Sequence, residues 1–294
     1  MGTEAGIQVA VLGAGTMGAG IAIVASRAGC ETVVLEKDKT RMSEGFDRIG
    51  KFYAQSVKKG KMTEGQARAA LAKVRMTDVP ADCAGAEFVI EAIYEDLELK
   101  KDLFAQMNGI CRPDAIFASN TSTLSITALA AGSGRHDRTV GMHFCIPAPL
   151  MKLVEVTKGL QTSEETFRRT LAFGDRLGQV CVTTQDTPGF ILNYFIVAFN
   201  NDCIRAYESG LASLEDIDKA VKFGLGYPMG PFELLDIIGL DTHAFVSKVL
   251  YEELKETRFS APSLVKKMIG AGYLGRKTGR GFYTYGAKGM FGAA

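Results

Sequence analysis

The sequence predicts an α/β domain over residues 1–187, followed by an all-α domain over residues 188–294. Three observations predict it. Short apolar runs recur between Gln8 and Thr184 with helical patterns between several of them, the alternation that builds a mainly parallel sheet. The character changes at Asp186-Thr187-Pro188-Gly189, after which helical periodicity dominates. The chain has 294 residues, 47% of them hydrophobic and 23% charged, a composition ordinary for one large or two medium globular domains.

The same composition narrows the function. A net charge of +1 favours neither nucleic acid nor an anionic membrane surface. No apolar run reaches the roughly 18 residues of a membrane span, and Met1-Gly-Thr-Glu-Ala-Gly enters a strand with no basic leader pattern. Six cysteines stand at 30, 83, 111, 145, 181 and 203 with no C-x-x-C. They read as buried thiols in a reducing, cytoplasmic setting, not as a disulfide frame or a metal site.

The elements follow in order. Gln8 to Leu12 is an apolar run that ends at Gly13-Ala-Gly15-Thr16-Met17-Gly18, and a helix from Met17 to Ala28 follows. A second strand, Thr32 to Leu35, ends at Glu36. This G-x-G-x-x-G lies between a strand and a helix, with an acid roughly 20 residues further on, the context of a Rossmann-type dinucleotide site. Gly13 permits the tight turn, and Gly15 lets backbone approach a pyrophosphate. Gly18 lets the helix pack on the strand, so that Thr16 and Met17 open a helix aimed at the phosphates. Glu36 suits the adenosine ribose hydroxyls and repels a 2′-phosphate, favouring NAD over NADP.

Residues 40–71 are polar and helical in pattern, too long for a simple crossover, and predict a projecting helical hairpin. It carries Lys51, Lys58, Lys59 and Lys61. Two readings stand: a solvated charged face, or a site for a polyanionic substrate handle. Further strands are expected at Val74 to Thr77, Phe88 to Ala92, Ile116 to Ser119, Thr139 to Met142, Lys152 to Val156 and Gln179 to Thr184. A helix from Glu95 to Ile110 places Glu95 and Lys100 beyond a strand end, where open α/β sheets bind ligands. Ser119-Asn120-Thr121-Ser122 follows the next strand at that edge, to cap the helix after it, to face a ligand, or both. After the boundary, helices are expected at Phe190 to Glu208, Leu214 to Phe223, Phe232 to Ile238, Thr242 to Lys255 and Ser263 to Ile269. Asn193 lies early in the first of these, either satisfied by backbone or turned toward a cleft between the domains.

The most informative pair is His143 and Glu155. His143 is one of three histidines and follows a strand; the strand after it can return a carboxylate to the ring. An imidazole held by a carboxylate is a general base poised near neutral pH. Beside a dinucleotide fingerprint, such a base takes the proton of an alcohol while a nicotinamide takes the hydride.

Taken in order, these landmarks resemble the monofunctional L-3-hydroxyacyl-CoA dehydrogenases, most closely the bacterial 3-hydroxybutyryl-CoA type. The resemblance rests on Gly13-Ala-Gly-Thr-Met-Gly18, Val89-Ile-Glu-Ala92, Ser119-Asn-Thr-Ser122, Met142-His-Phe144, Met151-Lys-Leu-Val-Glu155, Thr187-Pro-Gly-Phe190, Pro228-Met-Gly-Pro231 and Gly275-Arg-Lys-Thr-Gly-Arg-Gly-Phe-Tyr283. It implies His143 as base, Glu155 as its orienting carboxylate, Ser122 on the substrate oxygen and Asn193 near the substrate carbonyl. It implies NAD as cofactor, with Glu95, Lys100 and Asn120 on its nicotinamide side and Glu36 on the adenosine ribose. It also implies an acyl-CoA substrate met by Lys51 and Lys59 and a homodimer formed through the helical domain; the length leaves no room for a fused hydratase domain ahead of the fingerprint. Three positions depart from the family pattern: Cys145 for phenylalanine, Ile146 for asparagine and Tyr194 for arginine. They leave the acyl specificity open. The alternatives are a dehydrogenase of the same fold acting on a free hydroxy acid, and a non-catalytic NAD-binding protein.

Overall fold

The computed structural model describes residues 6–286. It divides into two compact units, Met1–Thr187 and Pro188–Ala294.

The first unit is built on an eight-stranded sheet. Its strands are β1 (Gln8–Leu12), β2 (Glu31–Leu35), β3 (Val74–Thr77), β4 (Phe88–Glu91), β5 (Ile116–Ser119), β6 (Thr139–Phe144), β7 (Leu153–Lys158) and β8 (Val180–Thr184). The spatial order is β3-β2-β1-β4-β5-β6-β7-β8. Neighbours pair in parallel except β6 and β7, which are antiparallel. The chain winds outward from β1 in one direction and then from β4 in the other, so β1 and β4 flank the switch point where such sheets bind ligands.

Both faces of the sheet are apolar because each is covered by helices. Val9 and Val11 face one core with Ile21, Val24 and Ala25 of α1 (Thr16–Arg27). Ala10 and Leu12 face the other with Phe104 and Met107 of α4 (Leu97–Asn108). The predicted hairpin is α2 (Lys39–Lys58) and α3 (Glu64–Ala72). Gly45, Ile49, Tyr53 and Ser56 recur at helical spacing and form the buried face of α2. Tyr53 Oη lies 2.8 Å from Ser26 Oγ of α1, and Thr63 with Gln66 makes a capping box on α3.

Several boundaries differ from the sequence reading, each for a local reason. His143 lies within β6, not after it, because pairing with β7 carries the strand on to Phe144. Asp96 caps α4 by accepting from Leu99 N, so Glu95 precedes the helix and is free of its geometry. Ser125 caps α5 (Ile126–Ser133) through Ala128 N, so the Ser119–Ser122 turn does not cap it. A helix the sequence reading did not include, α6 (Glu164–Arg176), is capped by Ser163 and carries the crossover between parallel β7 and β8.

The second unit contains α7 (Leu192–Glu208), α8 (Leu214–Lys219), α9 (Pro231–Ile238), α10 (Leu240–Leu254) and α11 (Ser263–Gly270). A single π-type turn, Ala220–Gly224, extends α8 over the range read as one helix. α7 starts at Leu192 and not at Phe190, whose φ of 49° lies outside the helical region. Ile204, Phe232, Leu235, Leu240 and Val265 form its main core. Asp236 accepts from Phe282 N, Tyr283 N and Tyr285 Oη, which ties the last described segment to α9.

Candidate active site

The carboxyl edge of the sheet gathers most of the predicted residues of the first unit. Gly13 follows β1 with φ 103°, a conformation that favours glycine. A Cβ on Gly18 would overlap the carbonyl oxygen of Gly13, so this glycine is required by packing. Gly15 differs. Its φ of −65° suits any residue, and an added Cβ would meet nothing within 4 Å. Neither conformation nor the chain's own packing asks for glycine there. Gly15 is also the N-cap of α1, and no side chain caps that helix, which leaves the first-turn N–H groups of Thr16, Met17 and Gly18 without a side-chain acceptor at the N-cap. Glu36 stands beside it, with Oε2 accepting from Ala14 N at 3.1 Å and Oε1 from Asp38 N at 3.1 Å. The donor-rich turn and the adjacent carboxylate fit a dinucleotide with a free ribose diol.

Three and four strands along from β1, His143 and Glu155 are direct cross-strand partners in the β6–β7 register. Nδ1 of His143 lies 2.7 Å from Oε2 of Glu155, the histidine side chain 12% exposed and the carboxylate 0%. A neutral ring that donates Nδ1–H to the carboxylate carries its lone pair on Nε2. The neighbouring Cys145 thiol is pushed up to about 11 by burial, with Glu155 adding to the shift, so it does not compete as a thiolate.

The Ser119–Ser122 turn is held by acids beneath it. Glu95 Oε1 accepts from Thr121 Oγ1, from Thr123 Oγ1 at 2.9 Å and from Ser122 N at 3.2 Å. Glu95 Oε2 pairs with Lys100 Nζ at 2.9 Å. Burial works to raise the Glu95 pKa, but Lys100 and the threonine hydroxyls outweigh it and hold the carboxyl below its ordinary value. Lys100 is buried, and its ammonium also faces Glu91 Oε1 at 2.8 Å and Oε2 at 2.9 Å. Burial opposes that charge, while Glu91 and Glu95 raise the Lys100 pKa on balance. Lys100, read from the sequence as a residue facing the cofactor, is therefore turned into a pair of carboxylates. Asn120 Oδ1 accepts from Phe144 N at 2.8 Å, linking the turn to the strand end beside His143.

The remaining predicted residues lie apart from these contacts. Lys51 is exposed on α2, and Lys59 is the exposed C-cap of that helix. Asn193 is the second residue of α7 in the second unit, half-buried, with its N–H donating to Gly189 O at 3.1 Å. Glu91 was not among the predicted residues. The available signal was an acid ending the apolar run Phe88-Val-Ile, a type that is buried only when paired. Among the described residues, no cluster of His, Cys, Asp and Glu could hold a metal ion, and no helix is long and apolar enough to cross a membrane.

Fold, fingerprint and edge define an NAD-dependent oxidoreductase. Comparison with known proteins agrees: the profile of the 3-hydroxyacyl-CoA dehydrogenase NAD binding domain matches residues 8–187, and that of the family's C-terminal domain matches residues 189–285. The chain belongs to the 3-hydroxyacyl-CoA dehydrogenase family. It is 41% identical over 279 residues to a probable 3-hydroxybutyryl-CoA dehydrogenase of Deinococcus radiodurans, covering 95% of this chain and 100% of the relative. The crystal structure of FadB2 from M. tuberculosis superposes with a TM-score of 0.93 at 41% identity, covering 96% of this chain and 100% of the other. That of (S)-3-hydroxybutyryl-CoA dehydrogenase PaaH1 from Ralstonia eutropha gives a TM-score of 0.90 at 40% identity, covering 96% and 99%.

Proposed function

We infer that the protein interconverts (3S)-3-hydroxyacyl-CoA and 3-ketoacyl-CoA, with short chains such as 3-hydroxybutyryl-CoA and acetoacetyl-CoA as its substrates. The observation that carries this is the 2.7 Å contact of His143 Nδ1 with Glu155 Oε2, on the sheet edge that also bears the fingerprint. NAD bound at the Gly13–Gly18 turn would supply the hydride acceptor for C3. His143 Nε2 takes the hydroxyl proton in oxidation and returns it in reduction. Glu155 stabilises the imidazolium that forms between the two and keeps the ring in the tautomer that presents Nε2. Ser122 donates to the oxygen at C3, and Asn193 meets the thioester carbonyl. Gly13, Gly15, Thr16, Met17 and Gly18 hold the pyrophosphate, and Glu36 the adenosine ribose. Glu95 and Asn120 line the nicotinamide side, where Lys100 acts through Glu95.

Residues 1–187 are the NAD-binding domain in this reading, and residues 188–294 the substrate and dimerisation domain. Lys51 and Lys59 serve a phosphate of CoA; their exposure on one helix supports this. A homodimer through the second domain is supported by its exposed large apolar side chains, Phe195, Leu211, Phe223, Leu225 and Tyr227. A cytoplasmic setting is supported by six free cysteines, and fatty-acid metabolism, including β-oxidation, is the pathway class this reaction serves. The test is NADH formation from (3S)-3-hydroxybutyryl-CoA, followed at the nicotinamide absorbance. Turnover of that thioester and not of free 3-hydroxybutyrate is expected; turnover of the free acid alone would assign the same fold to a hydroxy-acid dehydrogenase.

A further inference from the structure

We propose that Glu91 is a positioning residue of the reaction: it holds Lys100 against Glu95, and Glu95 in turn fixes the turn that carries Ser122. The proposal rests on the reading above, in which Ser122 and His143 meet the substrate.

The contacts account for every donor of the ammonium. Lys100 Nζ has three N–H groups, and it meets Glu91 Oε1 at 2.8 Å, Glu91 Oε2 at 2.9 Å and Glu95 Oε2 at 2.9 Å. Glu91 is itself held from two further sides, accepting from Ile93 N at 2.7 Å and from Ser119 Oγ at 2.6 Å. Glu95 is thus clamped at both oxygens, by Lys100 on one and by Thr121, Ser122 and Thr123 on the other. A second route leaves the same residue through the main chain. Glu91 O accepts from Asn120 N at 2.9 Å, and Asn120 Oδ1 accepts from Phe144 N, one residue after His143. That second route is main-chain and persists whatever side chain stands at 91; the buried carboxylate itself supports the half of the chemistry that Ser122 carries.

Stability does not explain the arrangement. Taking an acid and an ammonium out of water costs several kcal/mol each, and apolar replacements of buried ion pairs are often neutral or better. What a fully hydrogen-bonded network supplies is a single geometry. The charge count makes the role testable. Glu91 from β4 and Glu95 from the loop before α4 face Lys100, with the hydroxyls of Ser119, Thr121 and Thr123 completing the shell. Without Lys100, buried Glu91 and half-buried Glu95 face one another, and ionising both at once is disfavoured.

The experiment compares the full chain with Glu91→Gln, Lys100→Met and the double variant. It reads kcat and KM for acetoacetyl-CoA reduction from pH 5.5 to 9, the thermal midpoint, and the pH titration of the Ser122 amide by NMR. In Lys100→Met, kcat falls on the order of tenfold or more as pH rises, because loss of the shared proton drives the carboxylates apart and displaces the turn. The Ser122 amide follows the same titration. In the double variant that limb disappears. Glu91→Gln lowers the thermal midpoint, and when assayed well below that midpoint, where it is folded, it still loses on the order of tenfold in kcat with a smaller change in KM. A Lys100→Met pH profile parallel to the parent's, or a double variant that keeps the limb, overturns the proposal. If Lys100→Met does not fold, an unchanged kcat in Glu91→Gln overturns it alone. A parent chain inactive on acetoacetyl-CoA sinks the functional reading instead, and the Ser122 titration still decides this one.

Discussion

Gly15 and Gly18 are separated by two residues and are glycine for different reasons, so alanine at each should fail differently. At Gly18 an added Cβ would overlap the Gly13 carbonyl oxygen and lie 2.9 Å from its carbon. Both are backbone atoms at the turn between β1 and α1, so relief requires the helix to shift off the strand. Overpacking of this kind costs typically 1–3 kcal/mol, and backbone overlap belongs at the upper end, about 3 kcal/mol. For a domain of this size that lowers the melting temperature by roughly 6–12 °C. At Gly15 the same Cβ meets nothing within 4 Å and the φ of −65° needs no change. Alanine there restricts the unfolded chain by about 0.4–1 kcal/mol but is a poorer N-cap than glycine by a comparable amount, so the melting temperature of the free protein should stay close to the parent's. Affinity for NADH should nonetheless drop about tenfold or more, because the methyl stands where a pyrophosphate oxygen must approach the backbone. Thermal melts of the free protein and NADH fluorescence titrations separate the two effects. A Gly15→Ala variant that binds NADH as tightly as the parent would refute the reasoning, whatever its melting temperature.

Three further outcomes are expected. Glu36→Ala should weaken NAD binding and relax the rejection of NADP, since a carboxylate that repels the 2′-phosphate is lost; a parent that already prefers NADPH in paired kcat/KM measurements contradicts this placement. Lys59→Glu should raise KM for acetoacetyl-CoA, more so at low salt, while leaving KM for a pantetheine thioester lacking the nucleotide unchanged; equal effects on both would return the hairpin lysines to a solvated face. His243 is buried with Nε2 2.9 Å from Asn201 Oδ1, and burial pushes its pKa down to about 4. The unfolded ring takes up a proton below about 6.5 while the folded one resists, so stability is complete above that pH. It should be lost progressively toward pH 4, by roughly 3 kcal/mol in all, in urea titrations across that window. A His243→Gln variant with the same pH slope would remove this residue from the account.

Much of the fold was legible because the signals were local. The fingerprint, its flanking strand and helix, and the change of character at Asp186 rest on periodicity and punctuation that a chain carries openly. The α6 crossover was also marked locally, by Ser163 at its N-cap, Glu164 and Glu165 in its first turn and Arg176 in its last, but its buried face is made partly of Thr166, Thr170 and Gly174, so an apolar run does not announce it. The site divides in the same way. That Glu155 could return to His143 follows from two strands in sequence, but that the two are register partners depends on how far β6 extends. Glu95 and Lys100 are visible as charges near a strand end. Which way they point is a tertiary fact, set by a buried acid, Glu91, that reads as part of an apolar strand. Departures such as Cys145 and Ile146 are plain in the sequence, and their consequence for the acyl group lies in chemistry that spacing does not encode.

The central claim is that His143 is the base. The direct measurement is kcat for acetoacetyl-CoA reduction by purified, folded His143→Ala, alongside its NADH dissociation constant. The account predicts a loss of about 10²–10⁴-fold in kcat with NADH affinity within about twofold of the parent, since the imidazole acts on the substrate and not on the cofactor. Near-parental turnover in that variant would contradict it.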